Sequence, residues 1–334
     1  MKRKTGNPRD SAKATIVMPV YNAASTLGEA FASLARQENK ALIAEIIVID
    51  DNSKDGSPEI AGKYAKNTGF NIRLIRHGRN TGLARSYNEG IKECRTKYVI
   101  FMHQDVVVSG TDAFRKALTP FAKDPKIVAS YPITAQPYGV WKKFGFWQKC
   151  FFRKYAGVDA EGLLGKFDCY RKGLLLERVG PFDADTYRTA GEDTDMDIRI
   201  RKAGLDTAAS GVRVIHLHSQ DRSFTIRKLL HKESQYAEAT GAVFRRYGIS
   251  WLPDKKYALK VASRPLLIIG LFLPYVQYVA LVLLLAYSIL VTKKIYQSER
   301  NDLRIILLPL VNIAVLFFYT FYMLRGLVTG KQRL

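Results

Sequence analysis

The side chains in this chain that could do chemistry fall at the ends of apolar runs. Tyr21 and Asn22 follow Thr15 to Val20, Asp50 and Asp51 close the run through Ile49, and His103, Gln104 and Asp105 follow Tyr98 to Met102. Further along, Glu192 and Asp193 follow Gly191, and His216 and His218 end the run that begins at Val214. Carboxylate oxygens and imidazole nitrogens are ligands for divalent cations, and positioned acids are common agents of proton transfer. One polar group at a strand end is ordinary turn chemistry. Three at successive strand ends point to a binding surface. The sequence holds no G-x-x-x-x-G-K-[ST] and no G-x-G-x-x-G, so a nucleotide would be held by carboxylates and a metal rather than by a glycine-rich phosphate cradle.

The elements that must position these residues are readable from pattern. Thr15 to Val20, Glu45 to Asp50, Ile72 to Arg76, Tyr98 to Met102 and Ile127 to Tyr131 are short, β-rich and apolar, as buried strands are. Thr26-x-x-Glu29 predicts a capping box opening a helix through Arg36, and Ser57-Pro58 predicts an N-cap with proline at N1 for a helix through Lys66. A third helix follows Gly82, with Leu83, Tyr87 and Ile91 at four-residue spacing. Strands separated by helices imply right-handed βαβ units, an α/β class and a mainly parallel sheet. Ligands in such sheets bind outside the carboxyl ends of the strands.

Several stretches, in this order, resemble the inverting family-2 glycosyltransferases of the GT-A fold. They are Thr15-Ile-Val-Met-Pro-Val-Tyr-Asn22, Ile49-Asp-Asp-Asn-Ser-Lys-Asp-Gly-Ser57, Arg79-Asn-Thr-Gly-Leu-Ala-Arg85 with Asn88, and Val179-Gly-Pro-Phe-Asp183 followed by Gly191-Glu-Asp-Thr-Asp195. The resemblance implies a GT-A, Rossmann-like domain that binds a nucleoside-diphosphate sugar. On that basis Pro19, Val20, Tyr21 and Asn22 would lie against base and ribose, and Asp50 would accept from the base. Asp51, Asn80, Gly82, His103 and Gln104 would join the nucleotide site. Asp105 stands at the last position of the family's D-x-D and would ligate Mg²⁺ or Mn²⁺ on the diphosphate, with His216 as a further ligand and His218 in reserve. His103 departs from the usual first Asp and cannot supply a second negative charge. Asp193 matches the family's general base and Glu192 would position the acceptor. The same acids also read as the negative opening of a helix that ends in Arg199, Arg201, Lys202 and Gly204.

Composition limits what surrounds this domain. With 52 Lys+Arg against 30 Asp+Glu, a net charge of +22 and 47% hydrophobic residues, the chain excludes disordered and fibrous classes. Cys94, Cys150 and Cys169 form no C-x-x-C pair, so neither a disulfide scaffold nor a zinc ribbon is indicated. Met1 to Ala14 is polar and basic, without the apolar core of a signal peptide. No recognition-helix, zinc-finger or RNA-binding signature accompanies the charge, so nucleic acid is not an expected partner.

Pro265 to Thr292 is 28 residues without a charged side chain and Ile305 to Leu324 another 20, each long enough to cross a hydrocarbon core of roughly 30 Å as a helix. The expected organisation is a glycosyltransferase domain over 1–220, basic amphipathic juxtamembrane helices over 221–264, two transmembrane helices over 265–328 and a tail over 329–334. The catalytic domain would then be cytoplasmic in a multi-pass protein of the cell membrane. The positive-inside rule sits badly with this topology, because Lys293, Lys294, Arg300 and Arg304 fall in the connection that would face away from the cytoplasm. Arg222 to Arg264 carries ten Lys/Arg and three acids, as expected of helices meeting anionic lipid headgroups. Between Tyr138 and Tyr155, Trp141, Phe144, Trp147, Phe151 and Tyr155 recur at helical spacing among five Lys/Arg. Core packing explains such a stripe; an interfacial helix beside the acceptor groove, with Trp147 touching the acceptor, is the alternative.

The expected activity is inverting transfer of a sugar from a nucleoside diphosphate to a hydroxyl of a lipid-linked or membrane-proximal glycan. A polyprenyl-phosphate acceptor is the enzymatic alternative, and an inactive GT-A-like scaffold or lipid-binding adaptor the alternative of another class.

Overall fold

A computed structural model of the chain describes residues 13–67, 69–218, 223–248 and 255–334. Arg222 and Trp251, part of the expected juxtamembrane stretch, lie outside the described residues. In chain order the first elements are β1 (Ala14–Val20), α1 (Leu27–Ala35), β2 (Ile43–Asp50), α2 (Ser57–Asn67), β3 (Ile72–Arg76), α3 (Leu83–Glu93), β4 (Tyr98–Phe101) and β5 (Val106–Val108). Then come α4 (Ala113–Leu118), α5 (Pro120–Lys123), β6 (Ile127–Gln136), α6 (Tyr138–Lys142), α7 (Phe146–Phe152), β7 (Val158–Ala160), β8 (Asp168–Arg171) and α8 (Lys172–Arg178). The last are α9 (Glu192–Lys202), β9 (Asp206–His216), α10 (Ile226–Tyr247), α11 (Lys255–Gly270), α12 (Val276–Ser298) and α13 (Leu308–Thr329).

Two compact units divide the chain. The first holds the chain up to Ala135 with Asp159–Phe182 and Arg199–Ser219; the second holds Gln136–Val158, Asp183–Ile198 and Gln220–Leu334. The insertion after β6 and the Glu192-Asp193 pair therefore group with the apolar tail, not with the expected 1–220 domain.

In the first unit the sheet order is β3-β2-β1-β4-β8-β6-β9-β5, with β7 paired to β6. The block β3-β2-β1-β4 is parallel, as the alternation of strands and helices demands. Beyond it, β8 runs antiparallel to β4 and β6, and β5 antiparallel to β9. All seven residues of β1 are buried, so the strand is apolar on both faces, as a sheet covered by helices requires. Ile16, Met18, Leu27, Phe31, Val48 and Phe114 join one core, and each large side chain buried contributes about 1.5–3 kcal/mol. Register pairs Val20 with Asp50 and Asp50 with Arg76, which brings the exits of β1 and β2 to one edge.

The expected helix caps form differently. Thr26 donates to Ala23 O (3.4 Å) and caps nothing. Ser57 Oγ accepts from Ala23 N (2.8 Å) and donates to Asp55 (2.5 Å), while Asp55 accepts from Ser57 N (3.1 Å). The Ser57 hydroxyl thus fastens the loop after β1 to the start of α2 instead.

In the second unit the aromatic stripe is core. Gly145 separates α6 from α7, and Trp141, Phe144, Phe146 and Phe151 are buried together with Ile295 and Leu308. Of the stripe, Trp141, Phe144 and Phe151 are turned into protein, as the core reading expects, while Trp147 and Tyr155 are half-buried. Trp147 lies edge-on to Phe146 at 5.0 Å. The first apolar run is not one helix either. It breaks between Gly270 and Val276, where Pro274 is followed by Tyr275 at φ 64°, so Pro265 to Thr292 is divided between α11 and α12. Among the described residues two helical stretches are long and apolar enough to cross a membrane, Val276–Ser298 and Leu303–Thr329.

Candidate active site

At the exit of β1, Pro19 and Val20 are buried, Val20 within the core. That leaves Tyr21 (47% exposed) and Asn22 as the residues of this loop that a ligand could meet. Asn22 holds the loop after β2: its amide donates to Ser53 Oγ (3.0 Å), and its side-chain oxygen accepts from Lys54 N (2.8 Å). Its φ of 48° suits asparagine.

Asp50, at the end of β2, is buried and accepts from Ser53 N (3.1 Å) and from Arg76 Nε (3.2 Å). Asp51 does a different job from the one its neighbour suggests. Its carboxylate accepts from Thr81 N (2.7 Å), Thr81 Oγ1 (3.0 Å) and Gly82 N (2.8 Å), and meets His77 Nδ1 at 2.7 Å. Three of these partners share Oδ1 and one, Gly82 N, takes Oδ2, so Asp51 ties the 77–82 loop to the start of α3. Asn80 and Gly82 belong to this tie, Asn80 Nδ2 reaching Asp51 O only at 3.5 Å. His77 was not legible as functional. Its Nε2 lies 2.5 Å from Glu89, so both ring nitrogens face carboxylates. Burial disfavours charge there, but the hydrogen bonds to Asp51 and Glu89 hold His77 above its ordinary pKa.

At the exit of β4 the ligating atoms of His103, Asp105 and His216 lie within 4.8 Å of one another. The pairing of β5 with β9 sets Val106 opposite His216, which brings His216 Nε2 to 3.1 Å from Asp105 Oδ2. Gln104 is half-buried between its two neighbours in the chain. Lys166 Nζ sits 2.5 Å from His103 Nδ1. An ammonium can only donate, so His103 Nδ1 accepts and its proton rests on Nε2, where it can be given to an anion. His103 Nε2 and Asp105 Oδ1 are shielded from solvent and have no hydrogen-bond partner among the described residues. Burial pushes His103 well below its ordinary pKa, the Lys166 charge adding to it. Burial also opposes charge on Asp105, but His216 and its hydrogen bond hold that carboxylate well below its usual range. His216 is itself lowered by burial. The pair is therefore an ionised Asp105 beside a neutral His216. His218, at φ 53°, lies against His216 with ring centroids 3.6 Å apart and planes tilted by 42°.

These donors fit a divalent cation. Asp105 Oδ1, buried and without a partner, and the His216 imidazole beside it, whose Nε2–H now donates to Asp105 Oδ2 and would have to be released to ligate, are oxygen and nitrogen donors of the kind that Mg²⁺ or Mn²⁺ takes. His103, by its tautomer, fits a donor to phosphate better than a third ligand. Two residues that the sequence did not reveal build this arrangement. Asp168 Oδ2 accepts from Leu164 N (2.8 Å) and Gly165 N (2.6 Å), which fixes the turn that carries Lys166. Gly165 has φ 66°, and a Cβ there would come 2.5 Å from Tyr87 Oη and 2.9 Å from His103 Nε2. Only glycine lets the turn come this close.

In the second unit Glu192 and Asp193 open α9, Glu192 buried and Asp193 half-buried with Oδ1 accepting from Thr194 N (2.7 Å). Asp195, on the same turn, is structural: it accepts from Tyr247 Oη (2.6 Å) and pairs with Arg246 (3.2 Å). Burial, then the negative field of Tyr155, Asp193 and Glu192, raises the Tyr236 hydroxyl above its ordinary value.

Residues 15–173 match the family described as glycosyl transferase family 2. A putative glycosyltransferase, EpsE of Bacillus subtilis strain 168, is 34% identical over 260 residues, 76% of this chain and 83% of that protein. The chain belongs to glycosyl transferase family 2. The similarity to the uncharacterized glycosyltransferase YibD of Escherichia coli K12 is more local, 40% over 93 residues, 28% of this chain and 26% of that protein. The chain shares its fold with the mannosyltransferase PcManGT of Pyrobaculum calidifontis, solved with GDP-Man and Mn²⁺, at TM-score 0.54, 16% identity and coverage of 95% of this chain and 86% of that one.

Proposed function

We propose that this glycosyltransferase moves a sugar, with inversion, from a nucleoside-diphosphate donor to a hydroxyl of a lipid-linked or membrane-proximal glycan, and that its apolar tail holds it at the membrane. The observation that carries the reading is the Asp105–His216 pair, its unpartnered carboxylate oxygen facing the same cluster as the His103–Lys166 pair. Asp105 and His216 would hold Mg²⁺ or Mn²⁺, which when bound offsets the charge of a departing diphosphate. His103 Nε2–H and the Lys166 ammonium would donate to diphosphate oxygens and stabilise the leaving group as its charge grows. Asp50 would accept from the base once the exposed Arg76 side chain moves aside, while Tyr21 and Asn22 meet base and ribose.

Asp193 would take the proton of the attacking hydroxyl as oxygen attacks the anomeric carbon through an oxocarbenium-like transition state. Glu192 would orient that hydroxyl. One observation favours a second reading with a phosphate acceptor. A cavity of about 280 Å³ in the second unit is lined by Arg153, Lys154, Arg264 and Lys294, with Glu233 as its acid. A phosphate is already an anion and needs no base. A thermal-shift screen of UDP, GDP, dTDP and CMP sugars with and without Mn²⁺ tests the donor site, since a bound donor raises stability by mass action. Asp193→Asn should then retain donor binding and lose transfer; transfer retained would move the account to the phosphate acceptor, and no stabilisation by any donor would refute the proposal.

A further inference from the structure

The second unit also constrains how its apolar tail can meet a bilayer. A spanning helix must put its two ends on opposite faces of the membrane. Both ends of α13 are instead bound to other parts of the same unit. At its start, Leu308 shares a buried cluster with Trp141, Phe146 and Leu229. Near the end of α12 Lys294 donates to Ala156 O (2.8 Å), and in the connection that follows Glu299 pairs with Lys149 and the Arg304 guanidinium lies 4.5 Å over the Phe146 ring. At its far end, Gln332 Oε1 accepts from Arg188 N (2.8 Å) and Thr189 N (3.0 Å), and Glu238 Oε2 accepts from Arg333 N and Leu334 N (both 2.9 Å).

Between those ends α13 runs alongside α10. Tyr319 and Met323 pack on Ala237. A Cβ on Gly241 would come 2.1 Å from Met323 O, and one on Gly326 2.0 Å from Glu238 O, so the two backbones touch where only glycine fits. Arg325 Nε pairs with Glu238 Oε1 at 3.0 Å. If α13 crossed the bilayer, α10 would cross with it, carrying Arg227, Lys228, Lys232, Glu233, Arg245 and Arg246. Charges of that number do not enter hydrocarbon. Meanwhile Leu310, Phe317, Phe321, Leu324 and Val328 on α13, and most of α12 from Val276 to Leu290, stay exposed. Such a contiguous apolar face beside cationic helices matches the acyl region and anionic headgroups of a single leaflet.

We propose that the apolar tail does not cross the membrane: α11, α12 and α13 lie in one leaflet, with the α12–α13 connection and the C-terminus on the same face of the bilayer. The inference rests on the membrane-bound reading above. It removes the conflict in charge placement, because Lys293, Lys294, Arg300 and Arg304 no longer have to cross. A helix about 10 Å across fits within half of a roughly 30 Å hydrocarbon core.

Single cysteines test this in the full chain, where Cys94, Cys150 and Cys169 are buried. Lys116→Cys, Asn301→Cys and Lys331→Cys would each be treated with a membrane-impermeant maleimide in right-side-out and inverted vesicles. The expected result is that all three label from one and the same face. Labelling of Asn301→Cys only from the face opposite Lys116→Cys would overturn the proposal while leaving membrane attachment intact. Arg300→Cys repeats the measurement should Asn301→Cys fail to fold. Recovery of the unmodified protein in the soluble fraction, or its release from vesicles by salt alone, would instead refute the membrane-bound reading itself.

Discussion

Gly165→Ala should damage the donor site more than its size suggests. The residue has φ 66°, and a side chain in the left-handed region costs about 1–2 kcal/mol. The added Cβ would lie 2.5 Å from Tyr87 Oη and 2.9 Å from His103 Nε2, and Tyr87 is only 2% exposed, so it has little room to yield. Overpacking of this kind costs about 1–3 kcal/mol more, and together these terms lower the melting temperature by roughly 5–15 °C in a domain of this size. His103, which is less tightly buried than Tyr87, should give way first. Losing its hydrogen bond to a charged diphosphate would weaken donor binding roughly 10- to 100-fold. Gly110→Ala is the control, since Gly110 has φ 72° with nothing within 4 Å of the added carbon. Melting curves and calorimetric titration of nucleoside diphosphate on both variants separate the effects. Gly110→Ala should lose stability and keep binding; equal behaviour of the two variants in both assays would refute the reasoning.

Three further outcomes follow from the same geometry. Asp51→Ala strips an acceptor from His77, Thr81 and Gly82 and should lower stability by about 3 kcal/mol or more, read by denaturant unfolding; an effect confined to nucleotide affinity would show Asp51 to be a ligand contact after all. His77 is raised in the folded state, so its contribution is fully present below the ordinary histidine value of about 6.5 and fades as pH rises through the raised folded value. Unfolding from pH 5 to 9 should therefore show an acid-side stabilisation that is missing in His77→Gln, and superimposable profiles would contradict the assignment. Gln332→Ala removes the acceptor shared by Arg188 N and Thr189 N and should loosen the loop before Glu192; faster amide exchange over 186–190 checks this, and unchanged exchange refutes it.

What the sequence made legible is what local pattern controls. The runs in β1, β2, β4 and β6 are apolar because helices cover the sheet, whereas β3, expected to be buried, has no buried residue and carries Arg73 and Arg76 at the edge of the sheet. Less visible were pairings that depend on distant segments. Nothing near His77 signals that Asp51, 26 residues earlier, and Glu89, 12 residues later, would bracket it. Lys166 and Asp168 act on His103 only because β8 returns antiparallel beside β4, and the alternation of strands and helices does not encode that return. Thr26 and Ser57 have the right types for helix caps but are claimed by the neighbouring loops. The aromatic stripe stayed open between two readings because period reports that a surface is buried, not whether protein or lipid buries it, and apolar length alone did not show the break at Pro274 and Tyr275.

The central claim is that Asp105 and His216 bind a divalent ion together with the donor diphosphate. Calorimetric titration of the nucleoside diphosphate picked out by the donor screen, with and without Mn²⁺, into the unmodified protein, Asp105→Asn and His216→Ala tests it most directly. Mn²⁺ should tighten binding at least about tenfold in the unmodified protein, about 1.4 kcal/mol, and should have no such effect in either variant. Equal affinity with and without the ion in the unmodified protein, or an undiminished Mn²⁺ effect in Asp105→Asn, would contradict it.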